Sequence, residues 1–343
     1  MRAMALTEFG KPLELLDLPD PELRPDSVLL DVLGCGVCYS DYKMISGTFD
    51  FCSSLPLPHI PGHEVCGRVV ATEPHGALEK GSLVVVTNIW PCGLCSRCRA
   101  GSFNLCLYPD MWMGFTDPGG MRERMVVPLS AVVPVPGDLD PLQVAPAGCA
   151  IGTAYRATLT RGQVAAGMRV AVLGLGGVGI HALQLADLSG ARAVGLDVTE
   201  PALSAASELG LEAYRGDDES SEQRILEATG GEGVDVVIDA VGLQATLEQA
   251  NRLVRKGGRI VGIGYRVDSD LRIPTQRFTL DEIELLGSRN VLRHELERVL
   301  SLLVQGKLRS VVGLTRALAE ANDIFDVVAA GQVSGRNVVD LRI

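Results

Sequence analysis

The chain has no long apolar run. Nothing in its 343 residues approaches the roughly 18 uninterrupted apolar positions that a membrane-spanning helix needs. The opening MRAMALTEFGKPLELL also lacks the apolar core of a signal peptide and carries acidic residues early. Basic charge is scarce: 31 Lys and Arg face 42 Asp and Glu, for a formal net charge of −11. An acidic surface argues against nucleic acid or an anionic membrane as the main partner. No repeat and no low-complexity linker is visible. What remains is the profile of a soluble cytoplasmic protein, 47% hydrophobic and 21% charged, long enough for two domains.

Cysteine, by contrast, occurs nine times, and a reducing compartment disfavours disulfides. Four fall in CGLCSRCRAGSFNLC, spaced Cys92-x2-Cys95-x2-Cys98-x7-Cys106. Each Cys-x-x-Cys step lets two thiolates on a tight loop reach one ion. Gly101 and Ser102 turn the chain back for the fourth. Four soft thiolates in a tetrahedron suit Zn²⁺, and a shell with no open position makes the ion structural. An iron–sulfur cluster is the rival, since thiolates serve it too. Cys35, Cys52 and Cys66 fit no such pattern and read as small buried hydrophobes.

Residues 169–179, RVAVLGLGGVG, read as a strand ending in Gly174-x-Gly176-x-x-Gly179, with Gly177 and Val178 inside the turn. IHALQLADLSG then has helical periodicity and stops at Ser189-Gly190. The glycines permit a tight turn, close approach of a pyrophosphate and packing of helix on strand. The helix N-terminus offers free N–H groups to the phosphates. A second strand, RAVGLDV, ends at Asp197, about 20 residues on, where an acid grips a ribose 2′-hydroxyl. A carboxylate there repels a 2′-phosphate, which favours NAD(H) over NADP(H). The alternative for Asp197 is a cap on the helix of TEPALSAASELG, a role Thr199 fills equally well. VDVVIDAVG and RIVGIG read as further buried strands, with a helix closed by glycine, QATLEQANRLVRKGG, between them. Residues 150–287 thus make a doubly wound α/β domain. His181 reads as a helix-surface or packing histidine.

Before residue 150 short β-rich runs alternate with Gly/Pro-rich turns, which predicts an irregular, largely antiparallel β domain. After residue 287 come two helices and a last strand, RNVVDLRI. The simplest architecture is a β-rich unit from residues 1–149 and 288–343, with the nucleotide domain inserted and the chemistry in the crevice between. Three strings in and beside the β-rich part carry metal-ligand chemistry: GCGVCYSD with Cys38, PGHEVCG with His63, and PAGCAIGTAY with Cys149. A Cys/His/Cys set has an open fourth position, the form of a catalytic zinc that polarises an alcohol oxygen. A buried histidine and two unligated thiols are the alternative.

With these motifs in order over nearly its whole length, the chain resembles the zinc-dependent medium-chain dehydrogenase/reductase family, alcohol dehydrogenase type. The resemblance implies an α/β protein: a GroES-like β-rich catalytic domain plus a Rossmann nucleotide-binding domain. It implies two zinc ions per chain, one catalytic and one structural, and NAD(H). It implies an alcohol or carbonyl substrate and a homodimer or homotetramer. Cys38, His63 and Cys149 match the catalytic zinc ligands, and Glu64 the acid behind them that moves in as an alternative ligand. Ser40 matches the hydroxyl that takes the substrate proton, and Asp41 follows it, holding geometry. Thr153 matches a residue beside the nicotinamide. Arg336 looks like the C-terminal arginine that reaches the pyrophosphate; a surface charge is its alternative.

The chain also departs from the family. Tyr42-Lys43 stand near the position of a common proton-carrying histidine, so a relay runs through the ribose and Lys43 or through water. Tyr39 replaces a small, basic or histidine residue, and GGMRERM carries two arginines, Arg122 and Arg124, with no evident role. Phe49, Phe51, Trp90 and Trp112 lie in the stretches expected to form the pocket and favour a hydrophobic alcohol, aldehyde or ketone; each is also a candidate for the core. Rival readings are a polyol, sugar or threonine-type dehydrogenase, a carbonyl or enoyl reductase on a pathway-specific intermediate, and a non-catalytic cofactor-binding protein. The intact ligand set argues against the enoyl branch.

Overall fold

Two large sheets organise the chain, of which the computed structural model describes residues 1–74, 76–109, 111–267 and 269–343. The first sheet is six-stranded and parallel. Its spatial order is Ala213–Arg215, Arg192–Asp197, Arg169–Leu173, Val234–Asp239, Val254–Gly262, Glu284–Gly287. The chain moves outward from Arg169–Leu173 on one side, then returns to its other side at Val234–Asp239. That reversal opens a crevice at the carboxyl ends of the two central strands. Val170 to Leu173 and Val236 to Ile238 are all buried, as strands covered by helices on both faces must be. Helices Gly179–Leu188, Glu200–Glu208, Glu219–Ala228 and Gln244–Leu253 make the crossovers.

The second sheet runs Val312–Ala317, Arg336–Asp340, Ser27–Val37, Glu64–Glu73, Leu83–Val86, Val132–Pro134, with Arg124–Pro128 also paired to Ser27–Val37. All its pairings are antiparallel except that of Val312–Ala317 with Arg336–Asp340. Strands from both ends of the chain therefore build one sheet. It packs over an apolar cluster that includes Met4, Leu30, Val65, Phe115 and Met121.

Two local expectations change. The helix expected over QATLEQANRLVRKGG ends at Leu253, and Val254 begins the next strand, paired with Val234. A β-branched, buried Val254 belongs to the sheet core, so the two glycines that follow lie within a strand rather than after a helix. The run MVVPLSAVVPVP divides into two strands around a single turn at Leu129–Ala131. Pro128 has no N–H with which to extend the ladder.

Candidate active site and cysteine lobe

A cavity of about 700 Å³ opens where the two sheets meet. Cys38, Ser40, His63, Cys149 and Thr153 line one side, and Gly174, Gly176, Gly177, Val178, Gly179 and Asp197 another; Arg336 lines it as well.

Cys38 follows the strand Ser27–Val37 and caps the helix Tyr39–Ile45. Asp41, in the first turn of that helix, accepts the Cys38 backbone N–H on Oδ2 at 2.8 Å. Its Oδ1 lies 2.8 Å from His63 Nδ1. An N–H at Nδ1 leaves His63 Nε2 free as a ligand atom. The ligand atoms of Cys38, His63 and Glu64 all lie within 4.8 Å of one another. Cys149 joins through its thiol, which hydrogen-bonds Cys38; that contact lowers the Cys38 pKa well below an ordinary thiol and raises that of Cys149. Burial opposes a charge on His63, but Asp41 and Cys38 outweigh it and its pKa rises. Soft thiolates, an imidazole and a buried carboxylate around one point fit a zinc ion.

Glu64 is fully buried, and burial raises its pKa to about 7 against the pull of Arg336. Arg336 Nη2 lies 3.1 Å from Glu64 Oε1, yet neither Glu64 oxygen completes a hydrogen bond. A buried carboxylate with unmade bonds is what a neighbouring cation would satisfy. Arg336 is itself only 5% exposed, so the surface-charge alternative fails. It donates to the Val37 carbonyl at 3.3 Å, and a Cβ placed on Gly177 would sit 3.1 Å from its guanidinium carbon. One arginine thus spans the glycine turn and the metal-ligand cluster.

Gly174 has φ +82°, a conformation costly for any side chain. A Cβ on Gly179 would lie 1.7 Å from the Gly174 carbonyl oxygen, so only glycine lets the helix start this close to the strand end. Around Gly176 there is open space. Asp197 accepts the Leu175 N–H at 2.6 Å and both the N–H and hydroxyl of Thr199 at 2.8 Å. It ties its strand to the glycine turn at the cavity rim. Thr199 is the N-cap residue, but its hydroxyl serves Asp197 and not the helix. Thr153 lies on the helix Ala150–Tyr155, its Oγ1 3.9 Å from Cys149 Sγ.

Of the four aromatics expected at the pocket, Phe49 and Trp112 line it. Phe51 stacks behind Phe49 at 5.2 Å. Trp90 is core: it is buried and donates its indole N–H to the Thr87 carbonyl. Sequence reasoning missed Phe115, which packs 4.9 Å from the His63 ring, and also Asn88, Tyr265 and Arg289. Tyr265 lies just past the carboxyl end of Val254–Gly262, where the crevice rule would have looked for it. Lys43 donates to the Tyr265 carbonyl at 2.6 Å and sits 3.9 Å over its ring. Burial raises the Tyr265 phenol pKa, and a hydrogen bond from Ser40 opposes the rise. Arg124 pairs with Asp20 and Asp31, and burial lowers Arg122 to about 10; neither lines the cavity. His181 is fully buried rather than at a helix surface. Its Nδ1 lies 2.8 Å from the Gly177 carbonyl, and its Nε2 accepts the Val311 N–H.

The cysteine lobe is a separate site. Among the described residues all nine cysteines are unpaired. The sulfurs of Cys92, Cys95, Cys98 and Cys106 lie within 4.8 Å of one another, with neighbouring separations of 3.5, 3.5 and 3.9 Å. Zinc–thiolate bonds of about 2.3 Å imply tetrahedral edges of roughly 3.8 Å. The lobe therefore fits a single ion, whereas an iron–sulfur cluster would hold its thiolates further apart. Backbone N–H groups of Leu107 and Cys98 lower the Cys95 thiol to about 6, which readies a thiolate.

Comparison with known proteins agrees with this geometry. Residues 24–137 match the family model of the alcohol dehydrogenase GroES-like domain, and residues 177–305 that of the zinc-binding dehydrogenases. The chain is 34% identical to an NAD-dependent alcohol dehydrogenase of Sulfurisphaera tokodaii, over 99% of each chain. It is 32% identical to an alcohol dehydrogenase of Geobacillus stearothermophilus, over 100% of this chain and 99% of the other. The crystal structure of the alcohol dehydrogenase of Aeropyrum pernix superposes with a TM-score of 0.90 at 32% identity, covering 99% of this chain and 100% of that one. With both domains matched and relatives aligned end to end, the chain belongs to the zinc-dependent medium-chain alcohol dehydrogenase family.

Proposed function

We propose that this chain is a zinc- and NAD(H)-dependent alcohol dehydrogenase that interconverts an alcohol with an apolar body and its aldehyde or ketone. The observation that carries the reading is the meeting of two groups on one cavity: Cys38, His63 and Cys149, with Glu64 close to Cys38 and His63, and the glycine turn. Cys38, His63 and Cys149 would hold the ion, with Glu64 behind them. When bound, zinc polarises the substrate oxygen and the nicotinamide exchanges hydride with the adjacent carbon.

The chain's own residues do the rest. Asp41 fixes His63 and Cys38 in orientation. Ser40 takes the substrate's hydroxyl proton, with the Tyr265 phenol beside it as the next stop and Lys43 clamping Tyr265. Gly176, Gly177 and Val178 receive the pyrophosphate at the helix N-terminus, and Arg336 balances its charge. Asp197 takes a ribose hydroxyl and repels a 2′-phosphate. Thr153 flanks the nicotinamide. Phe49, Trp112 and Phe115 exclude water from the substrate's apolar body. Residues 150–287 form the cofactor unit, and 1–149 with 288–343 the zinc unit. Among the described residues no helix is long and apolar enough to cross a membrane. We place the enzyme in the cytoplasm, where the cysteine lobe stays reduced. We take it to be a homo-oligomer, since the sheet-edge strand Glu284–Gly287 leaves Leu285 exposed.

The test is NADH formation from NAD⁺ by the zinc-loaded protein across aliphatic, aromatic and polyhydroxy alcohols. Turnover of apolar alcohols, abolished in Cys38→Ala, is expected. Preference for polyols would discard the aromatic pocket. Silence of the whole panel with zinc and cofactor bound would overturn the reading.

A further inference from the structure

The cavity has the opposite sign to the protein. A chain of net charge −11 lines it with Lys43, Arg266, Arg289 and Arg336, and with one carboxylate, Asp197. Arg336 meets Glu64, and Lys43 meets the carbonyl and ring of Tyr265. Arg266 stands 5.9 Å over the exposed ring of Tyr39. Arg289 likewise meets an aromatic ring and, among the described residues, no acid. It follows the edge strand Glu284–Gly287, and Asn104 Nδ2 holds its backbone carbonyl at 2.9 Å. Its guanidinium lies 5.1 Å over the Trp112 ring, and among the described residues it makes no hydrogen bond or ion pair. Trp112 stacks on Phe115 at 4.3 Å, and Phe115 packs 4.9 Å from His63. The stack leads from Arg289 along the aromatic wall to the metal-ligand histidine.

We propose that Arg289 binds an anionic group, a carboxylate or a phosphate, at one end of the substrate. The substrate's apolar body lies on Trp112 and Phe115, and its carbon–oxygen bond reacts at the His63 end. This rests on the dehydrogenase reading and adds the substrate's charge to it. A guanidinium matches carboxylate and phosphate with two parallel N–H donors. The cofactor's pyrophosphate already has Arg336 at the glycine turn, which leaves Arg289 for a second anion. Its seat over Trp112 favours a guanidinium already placed at the aromatic wall before the ligand arrives.

The test uses zinc-loaded enzyme, NADH and two matched aldehyde pairs: benzaldehyde with 4-formylbenzoate, and 4-hydroxybenzaldehyde with 4-formylphenyl phosphate. In each reduction the aldehyde takes hydride from NADH and a proton from solvent, giving the alcohol and NAD⁺. In at least one pair the anionic member has a kcat/KM about 10- to 100-fold above its neutral partner, and the pair concerned tells carboxylate from phosphate. Arg289→Ala lowers that ratio by a similar factor, and Arg289→Lys restores part of it. A ratio taken on one protein cancels any general loss of activity. Ratios near one in the native enzyme, or ratios unmoved by Arg289→Ala, overturn the inference. So does a variant that loses NADH affinity while keeping its ratio, because the guanidinium would then serve the cofactor. Calorimetric binding of each pair in the presence of NADH separates this inference from the one beneath it. Charge-selective binding without turnover supports the anion site and condemns the dehydrogenase reading, whereas equal binding of both members overturns the anion site.

Discussion

Asp41 Oδ1 lies 2.8 Å from His63 Nδ1, with both side chains buried, and the same carboxylate holds the Cys38 backbone with its other oxygen. One carboxylate thus sets the direction of two candidate zinc ligands. Asp41→Ala should weaken zinc at this site by about 10- to 100-fold, as losses of such supporting bonds do. Asp41→Asn should fall in between, because it keeps one acceptor and loses the charge. Zinc content after titration with a chelator checks this. One ion should leave early and the other, in the cysteine lobe, should stay.

Asp197 has two duties, and substitution should reveal both. Asp197→Ala should lower kcat/KM for NAD⁺ by about 10- to 100-fold, the scale of a lost hydrogen bond to a charged group. The NADP⁺/NAD⁺ ratio should rise by a similar factor. Because Asp197 also binds the Leu175 and Thr199 N–H groups, the unfolding temperature should fall as well. A variant with lower stability and unchanged cofactor preference would mean the residue is only a brace.

Cys95→Ser should reduce the zinc content of the purified chain from two ions to one. Losing a structural ion removes binding free energy that acts as folding free energy, and a drop in Tm on the order of 5 °C is expected. An undiminished zinc count would refute the assignment of the lobe.

His181 gives an acid limb to stability. Burial lowers its pKa from 6.5 to about 4, and in its neutral form it bridges the Gly177 carbonyl and the Val311 N–H. A depressed pKa means that the unfolded chain takes up the proton first as pH falls. The stabilisation is therefore whole above about pH 6.5 and is lost progressively down to about pH 4. At 1.36 kcal/mol per pKa unit the loss amounts to about 3 kcal/mol. Urea unfolding from pH 7.5 to 4.5 should show this slope in the native protein and a shallower one in His181→Gln.

The parts of this protein that were legible in the sequence are those whose physics is local. Four cysteines within fifteen residues reach one ion because loops of two and seven residues span no more than that. The glycine turn declares itself because a strand, a φ of +82° at Gly174 and a helix start all fall within one short stretch. Asp197 follows from strand length, since the next strand of a βαβ unit must end beside the turn. The helix end at Leu253 was misread because Val254 answers to its sheet partner Val234 rather than to the glycines behind it.

The cavity wall was decided only by tertiary structure. Ile89–Trp90 and Met111–Trp112 pair as a short antiparallel ribbon in which Ile89 faces Trp112 and Trp90 faces Met111. Side chains alternate between the faces of a strand, so this register sends the two tryptophans to opposite sides, Trp90 to the core and Trp112 to the cavity. Glu64 with Arg336, and Lys43 with Tyr265, lie more than two hundred residues apart in the chain; the first pair meets because strands from both ends share a sheet, the second because the two sheets join at the cavity. The sequence alone determined the ligand-bearing motifs and the dinucleotide turn, each carried by spacing within a few residues. Which aromatics and cations face the substrate was set by strand register and by the junction of the two sheets, which no local pattern encodes.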